Sequence, residues 1–267
     1  MRPDIVEKIT REHAARRLNL LREEMQWQVL AGLHQSEAFR SIAFIGGTSL
    51  RLLRNLGRFS EDLDFSTHTE GVDRDALERW GRAVLKQMEG CAIPGAEFLP
   101  GRGAGAVLSA DIRLPGILKE VGLSPLSSAK LRIKIEIDTR PPAGAELEKL
   151  VVSHGRLLAV TTYERPSLMA GKLHALLARR YTKGRDWYDL LWYCGERIAP
   201  NVTLLQNALE QVPSPWCRDA SAWREAILAL AAKTDWKAVH RDVGPFLERS
   251  DEIALLNTDT VQAALRG

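Results

Sequence analysis

The sequence has few cysteines and no long apolar run. Its three cysteines among 267 residues are scattered, and none stands in a Cys-x-x-Cys pair or near a suitably spaced histidine. This pattern argues against structural zinc and favours a reducing compartment. No apolar stretch approaches the roughly twenty residues that a membrane-spanning helix needs, and Met1-Arg2-Pro3-Asp4 does not resemble the start of a secretory leader. We therefore expect a cytoplasmic protein without a membrane partner.

A large charge of one sign is also absent. The formal net charge is +3, with hydrophobic residues at 45% and charged residues at 27%, which are values of an ordinary globular protein. The basic residues are nevertheless clustered near one predicted strand and one predicted helix: Arg132, Lys134 and Arg140, then Lys172, Arg179, Arg180, Lys183 and Arg185. A local basic field can hold a triphosphate or an RNA backbone. The alternative is a solvated helix face.

A buried strand followed by two glycines is the first informative feature. The apolar run Ile42-Ala43-Phe44-Ile45 predicts the strand, and Gly46-Gly47 permits a tight turn. We expect Thr48-Ser49 to cap a short helix that begins at Leu50. Backbone N–H groups and the dipole at such a helix terminus bind phosphate. These glycines and hydroxyl residues are therefore candidate nucleotide-binding residues.

Two aspartates follow the turn. Thirteen residues separate Thr48 from Asp62, and one residue separates Asp62 from Asp64. In a second strand this spacing puts both carboxylates on one face. Neighbouring carboxylates repel each other unless a cation lies between them, and Mg²⁺ prefers hard oxygen ligands. A phosphate-binding turn with Asp62 and Asp64 as metal ligands predicts metal-dependent chemistry on a nucleotide, although each feature alone has an ordinary structural explanation.

A third acidic residue is expected from a neighbouring strand. Residues 129–139 alternate between apolar and charged side chains, which predicts a strand with one core face and one charged face. Glu136 and Asp138 share the charged face, so either is a candidate for completing a two-metal catalytic site. The alternative is that Glu136 forms an ion pair with Lys134 or Arg132.

A second charged block lies in a predicted helix. Lys172, Arg179 and Lys183 stand at i, i+7 and i+11, which places them along one face of a continuous helix. Facing a dicarboxylate site, this row and Arg185 would bind the triphosphate and neutralise the departing pyrophosphate. Asp186 would complete the acidic cluster or orient Lys172 and Arg185; the alternative is that it forms structural ion pairs.

The remaining patterns predict an α+β fold. Helices are expected over 4–34 and 73–88, further strands over 106–114 and 151–160, and helical structure from residue 163 onward. We expect a small mixed sheet flanked by helices, with an N-terminal helical arm and a C-terminal helical bundle. The predicted domains are 1–165, with the arm and the α/β core, and 166–267, with the basic cluster.

The two charged blocks together resemble one known family. Gly-Gly-Thr-x-Leu-Arg-Leu-Leu at 46–53 and Arg-Phe-Ser-Glu-Asp-Leu-Asp-Phe at 58–65 are similar to the AbiEii/AbiGii toxin family, which includes the MenT-type toxins. The Lys172 segment and Lys183-Gly-Arg-Asp-Trp-Tyr-Asp-Leu resemble a second motif of that family. The resemblance implies a polymerase-β-like nucleotidyltransferase core, with the essential lysine at Lys172. The generic superfamily motif differs in having Gly-Ser and a shorter spacer.

From this resemblance we expect a toxin of a toxin–antitoxin system. It would use two Mg²⁺ ions to transfer a nucleotide from an NTP to the 3′ end of a transfer RNA, which would block translation. The family also implies a cognate antitoxin, often acting without a tight complex. Two other functions are compatible with the residues: a nucleotidyltransferase acting on a small molecule or a protein, and an inactive nucleotide- or RNA-binding module.

Overall fold

The computed structural model describes residues 1, 3–101, 105–179, 181 and 183–266, so Arg180 lies outside the described residues. The strands are β1 (Ile42–Ile45), β2 (Leu63–Thr67), β3 (Glu97–Pro100), β4 (Val107–Pro115), β5 (Lys130–Asp138), β6 (Leu147–Ser153) and β7 (Leu157–Tyr163). Within the described residues these seven strands form one mixed sheet in the order β3-β4-β5-β2-β1-β7-β6. The predicted α+β fold with a mixed sheet is confirmed.

Helices account for the N-terminal arm and most of the chain after the sheet. They are α1 (Pro3–Thr10), α2 (Ala14–Gln35), α3 (Gly46–Arg54), α4 (Arg74–Gly90), α5 (Ile117–Glu120), α6 (Arg165–Ala178), α7 (Gly184–Gly195), α8 (Val202–Gln211), α9 (Trp223–Ala231), α10 (Trp236–Val243) and α11 (Thr258–Arg266). In the described part of the chain, no helix has the length and apolar character needed to cross a membrane.

The centre of the sheet brings the two predicted motif strands together. β2 pairs with β1 in antiparallel fashion and with β5 in parallel fashion. In this register Asp64 is the partner of Ile45 on one side and of Glu136 on the other, and Ser66 is the partner of Asp138. Along β5 the apolar residues are buried and the charged ones are partly or fully exposed. The predicted alternation is therefore confirmed.

Several predicted boundaries are wrong. The single strand expected over 151–160 is two strands, because the chain turns at Gly155 with a φ of 66°. Helix α3 begins at Gly46 rather than Leu50, since the chain enters the helix directly at this glycine with a φ of 77°. Strand β2 begins at Leu63, so Asp62 immediately precedes the strand.

The chain folds into two compact units, and each combines separate stretches of sequence. The first comprises Met1–Ser49, Phe59–Pro141 and Lys149–Thr162, and the second comprises Leu50–Arg58, Pro142–Glu148 and Tyr163–Gly267. In the first unit the Phe44 and Phe65 rings pack 5.2 Å apart in the core. The second unit buries Trp187 and Tyr193 among its helices.

Candidate functional site

In the first unit, the Asp64 side chain lies against the start of α3. Gly46 has a positive φ of 77°, a conformation that glycine adopts at little cost. A Cβ atom built on Gly46 would lie 2.9 Å from the Cβ of Asp64 and would also overlap its carboxylate. Because the first turn of a helix has N–H groups without intrahelical partners, the Asp64 carboxylate lies beside a helix terminus of the kind that can bind an anion.

The hydroxyl groups of Thr48 and Ser49 donate hydrogen bonds to backbone carbonyl oxygens instead of capping the helix. The Thr48 hydroxyl is fully buried and donates to the carbonyl oxygen of Asp62. The Ser49 hydroxyl donates to the carbonyl oxygen of Gly46 at 2.9 Å. The predicted capping role is wrong, because both residues already lie inside α3. Thr48 instead fixes the backbone of the residue that carries the first carboxylate.

Glu136 is the acidic residue of β5 that lies beside Asp64. Its Oε1 atom is 2.7 Å from Lys134 Nζ, so the ion pair considered from the sequence is present. The hydrogen bond to Glu136 raises the pKa of Lys134, burial opposes this increase, and the negative charge of Asp62 adds to it. Lys134 therefore lies within the electrostatic reach of two acidic residues. Asp138 accepts a hydrogen bond from the backbone N–H of Arg140 at 2.9 Å.

The described acidic residues do not form a metal-binding site made of protein ligands alone. Among the described residues, no three Asp, Glu, His or Cys side chains are grouped so that they could hold one ion. Mg²⁺ commonly uses one or two carboxylates and takes its other ligands from substrate phosphates and water. A pair of carboxylates such as Asp62 and Asp64 has the ligand number and type that this mode of Mg²⁺ binding uses.

The second unit contains a buried network of ion pairs around Asp189. Arg58 donates to both carboxylate oxygens of Asp189, from Nε and Nη2, at 2.6 Å each. Lys172 Nζ lies 2.8 Å from Asp189 Oδ2 and 3.3 Å from Asp186 Oδ1. Arg179 binds the other oxygen of Asp186. The side chains of Arg58 and Asp189 are 2% and 0% exposed, so this network is largely shielded from water.

Burial and ion pairing shift the pKa values of Asp189, Lys172 and Arg58 in opposite directions. Burial would raise the pKa of Asp189, but Arg58 and Lys172 outweigh it and the pKa is lowered. Burial would lower the pKa of Lys172, but Asp189 and then Asp186 keep it above the ordinary value. Asp189 similarly raises the pKa of Arg58 against the effect of burial. All three groups are therefore charged at neutral pH.

The predicted row of cations on one continuous helix is wrong. Helix α6 ends at Ala178, so Arg179 is its C-cap and Lys183 is the N-cap of α7. The new helix starts at Gly184, where a Cβ atom would lie only 3.0 Å from the backbone carbonyl carbon of Val239. This close approach to α10 requires glycine. The cations are thus distributed over the middle of α6, its C-terminal end and the start of α7.

Arg185 contacts an aromatic ring and a carboxylate outside α7. The Arg185 guanidinium stacks over Phe246 at 4.3 Å and lies 3.9 Å from Asp242. Asp186 forms ion pairs with Lys172 and Arg179, so the structural ion pairs considered from the sequence are present. Three residues of the clusters, Arg58, Lys134 and Asp189, are not among the predicted site residues. The available signal for Arg58 was its place in the Arg-Phe-Ser-Glu-Asp-Leu-Asp-Phe string.

Comparison with known proteins adds a family and two solved structures. The family model described as "Nucleotidyl transferase AbiEii toxin, Type IV TA system" matches residues 28–265. No curated protein matches the sequence. The crystal structure of JHP933 from Helicobacter pylori has a TM-score of 0.54 at 19% identity, over 93% of this chain and 92% of that chain. A candidate nucleotidyltransferase from H. pylori has a TM-score of 0.53 at 18% identity, over 92% of this chain and 93% of that chain. Both likenesses concern the fold.

Proposed function

Because the chain belongs to the AbiEii family of nucleotidyltransferase toxins from type IV toxin–antitoxin systems, we propose that it transfers a nucleotide from an NTP to the 3′ end of a transfer RNA. An added nucleotide would deny the transfer RNA its aminoacyl ester and so block translation. The family implies a cognate antitoxin, and we propose that it neutralises this protein without a tight complex.

The observation that carries the proposal is the contact between Gly46 and Asp64. It places a carboxylate beside a helix N-terminus, so that a triphosphate and a cation can be bound side by side. Thr48 adds to this arrangement by holding the backbone of Asp62. A solvated strand edge or an ordinary turn would not require this packing.

We assign Asp62 and Asp64 as the residues that hold Mg²⁺. The ions, two in the proposed reaction, would supply positive charge that acidifies the attacking hydroxyl and neutralises the leaving pyrophosphate. Glu136 is the better candidate for the third carboxylate, because it is the register partner of Asp64, whereas Asp138 is the partner of Ser66. Glu136 would have to exchange its contact with Lys134 for this role.

Lys172 is proposed to bind a phosphate oxygen, together with Arg179, Lys183 and Arg185. An ammonium group has three N–H donors. Asp186 and Asp189 accept hydrogen bonds from two of the three N–H groups of Lys172, which leaves the third N–H group for an anion. In this assignment the two aspartates fix the direction of the lysine, and Arg58 in turn fixes Asp189.

The experiment is transfer of label from each α-labelled NTP in the presence of Mg²⁺ and total RNA. We expect label on transfer RNA, and we expect Asp62→Asn and Asp64→Asn to lower the rate by on the order of 10²–10³-fold, as is typical when a group that stabilises transition-state charge is removed. Asp251→Asn is the control, because Asp251 is an exposed carboxylate of the second unit that pairs with Arg249.

Each other outcome identifies a different function. Label on a protein or a small molecule would show that the acceptor is that molecule and not transfer RNA. Binding of NTP or RNA without transfer of label to any acceptor would make the chain a binding module. Full activity in both aspartate variants would remove these residues from the catalytic site.

A further inference from the structure

The second unit contains a basic and aromatic cavity whose lining includes Arg179 and Lys183, two of the residues proposed to bind phosphate, together with aromatic residues that have no role in the proposed function. Its volume is about 210 Å³, and it lies at the junction of α6, α7 and α9. Leu176, Trp187 and Leu230 contribute apolar surface to its wall. The cavity thus has room for one flat aromatic ring system and an apolar surface against which the ring can pack.

Two aromatic side chains remain accessible at this cavity. Tyr181 lines the cavity and is 69% exposed, so most of its ring is accessible to a ligand. Trp216 is partly exposed, and the Lys233 ammonium lies 5.0 Å from the centroid of its ring. An aromatic face next to a cation is the arrangement that binds a nucleobase and its phosphate in single-stranded nucleic-acid sites.

The cations of the cavity outnumber its carboxylates. Arg179, Lys183 and Lys233 line it, and its one carboxylate, Asp186, is already bound by Lys172 and Arg179. In the described part of the chain, no carboxylate forms an ion pair with Lys183. Burial lowers the pKa of Lys183, and repulsion from Arg185 and Arg179 lowers it further, while Asp186 offsets only part of this. An anion bound here would relieve that repulsion.

We propose that this cavity binds one nucleotide unit, with the base against Trp216 and the phosphate held by Lys183 and Lys233. The inference deepens the proposed function, because it shares Lys183 with the proposed phosphate-binding residues, and it rests on that function for its choice of nucleotides as the ligand class. The same chemistry is present in a free NTP and in the terminal nucleotide of an RNA strand. Binding measurements with the two ligands separate these sources.

The test uses the full chain and two cavity variants. Trp216→Leu keeps an apolar side chain but removes the stacking face, and Lys233→Gln removes the charge. Arg224→Gln is the matched control, because Arg224 lies 4.6 Å over the ring of Trp223, and both residues are outside the cavity. The ligands are an α,β-methylene NTP, which cannot transfer its nucleotide, a short single-stranded RNA, and inorganic triphosphate, which has no base.

We expect Trp216→Leu to weaken binding of the NTP analogue or the RNA about tenfold, the usual loss for one stacked base. It should leave triphosphate binding unchanged. Lys233→Gln should weaken every ligand that uses the cavity and, for RNA, reduce the slope of log affinity against log salt by about 0.7. An effect on RNA alone identifies the strand end as the ligand, and an effect on the NTP analogue alone identifies the incoming nucleotide.

The proposal is overturned if both cavity variants bind all three ligands as Arg224→Gln does. Such a result combined with normal nucleotide transfer would leave the proposed function intact. In the opposite combination, binding depends on the cavity but no nucleotide is transferred to any acceptor. This result would contradict the proposed function and support the nucleotide site. The two failures are therefore distinguishable.

Discussion

Two independent features of the structure require glycine at position 46: a positive φ and the close approach of the Asp64 side chain. Its φ of 77° lies in the left-handed region, and the space where a side chain would stand is filled by Asp64. Gly71 has nearly the same φ, 80°, but no atom lies near its missing Cβ. The two glycines therefore separate the cost of the backbone conformation from the cost of displacing a carboxylate.

We predict that Gly46→Ala and Gly71→Ala lose similar stability from the backbone, about 1–2 kcal/mol, but differ in activity. Gly46→Ala should also displace Asp64 and lower nucleotide transfer at least about tenfold, because small misplacements of reacting groups are costly. Chemical denaturation and the labelled-NTP assay measure the two effects. Equal transfer rates in the two variants would show that Asp64 tolerates displacement.

Glu136 and Asp138 form a second matched pair. We predict that Glu136→Gln lowers the transfer rate on the order of a hundredfold, whereas Asp138→Asn changes it only a few-fold, since only Glu136 is the partner of Asp64. The assay is the rate at saturating NTP over a range of Mg²⁺ concentrations. A larger loss in Asp138→Asn would transfer the role of third carboxylate to that residue.

At the scale of the elements, the network around Asp189 ties together residues that are far apart in the sequence. Arg58 follows α3, Lys172 lies in α6, and Asp189 lies in α7. Breaking a buried ion pair by removing one partner is more costly than losing an exposed pair, because the remaining charge stays buried. This network should thus govern how the second unit responds to acid.

We predict that Asp189→Asn lowers the free energy of unfolding by about 3–5 kcal/mol, because Arg58 and Lys172 lose their shared anion. The exposed pair of Arg249 and Asp251 is the control, and Asp251→Asn should have little effect. Urea denaturation at neutral pH measures both. A loss no greater than that of the control would show that water compensates the two cations.

The same network predicts a direction for the pH dependence. The folded-state pKa of Asp189 is lowered, so its contribution to stability is complete above the ordinary value near 4 and is lost as the pH falls through the folded value. The pKa values of Arg58 and Lys172 are raised, so their contribution is lost only in strong base. Stability should be level at neutral pH, fall below about pH 4, and fall less steeply in Asp189→Asn.

The sequence predicted elements better than it predicted contacts. The alternation along β5 and the apolar run of β1 specify strands directly, because one buried face imposes a period of two. The break between α6 and α7 was not predicted, since it depends on the approach of Gly184 to Val239, which are distant in the chain. The pairing of Arg58 with Asp189 was missed for the same reason.

At the scale of the whole molecule, the proposed chemistry has a cellular consequence. We predict that expression of this chain alone stops growth, while the Asp64→Ala protein at equal abundance does not. Transfer RNA from arrested cells should carry extra 3′ nucleotides, and messenger RNA should remain intact, because the block acts before peptide-bond formation. Arrest that persists with Asp64→Ala would indicate aggregation or sequestration. Growth without arrest, despite transfer activity in vitro, would favour a different acceptor.

The second unit is built from three separate segments of the chain, and this limits where genes of this family can recombine. A crossover near residue 163 would exchange most of that unit, including Lys172 and Asp189, but would leave Leu50–Arg58 behind with the other parent. The incoming aspartate would then meet whatever residue the recipient carries at position 58. Only a recipient that encodes arginine there would retain the buried pair, so viable chimaeras should be confined to such recipients.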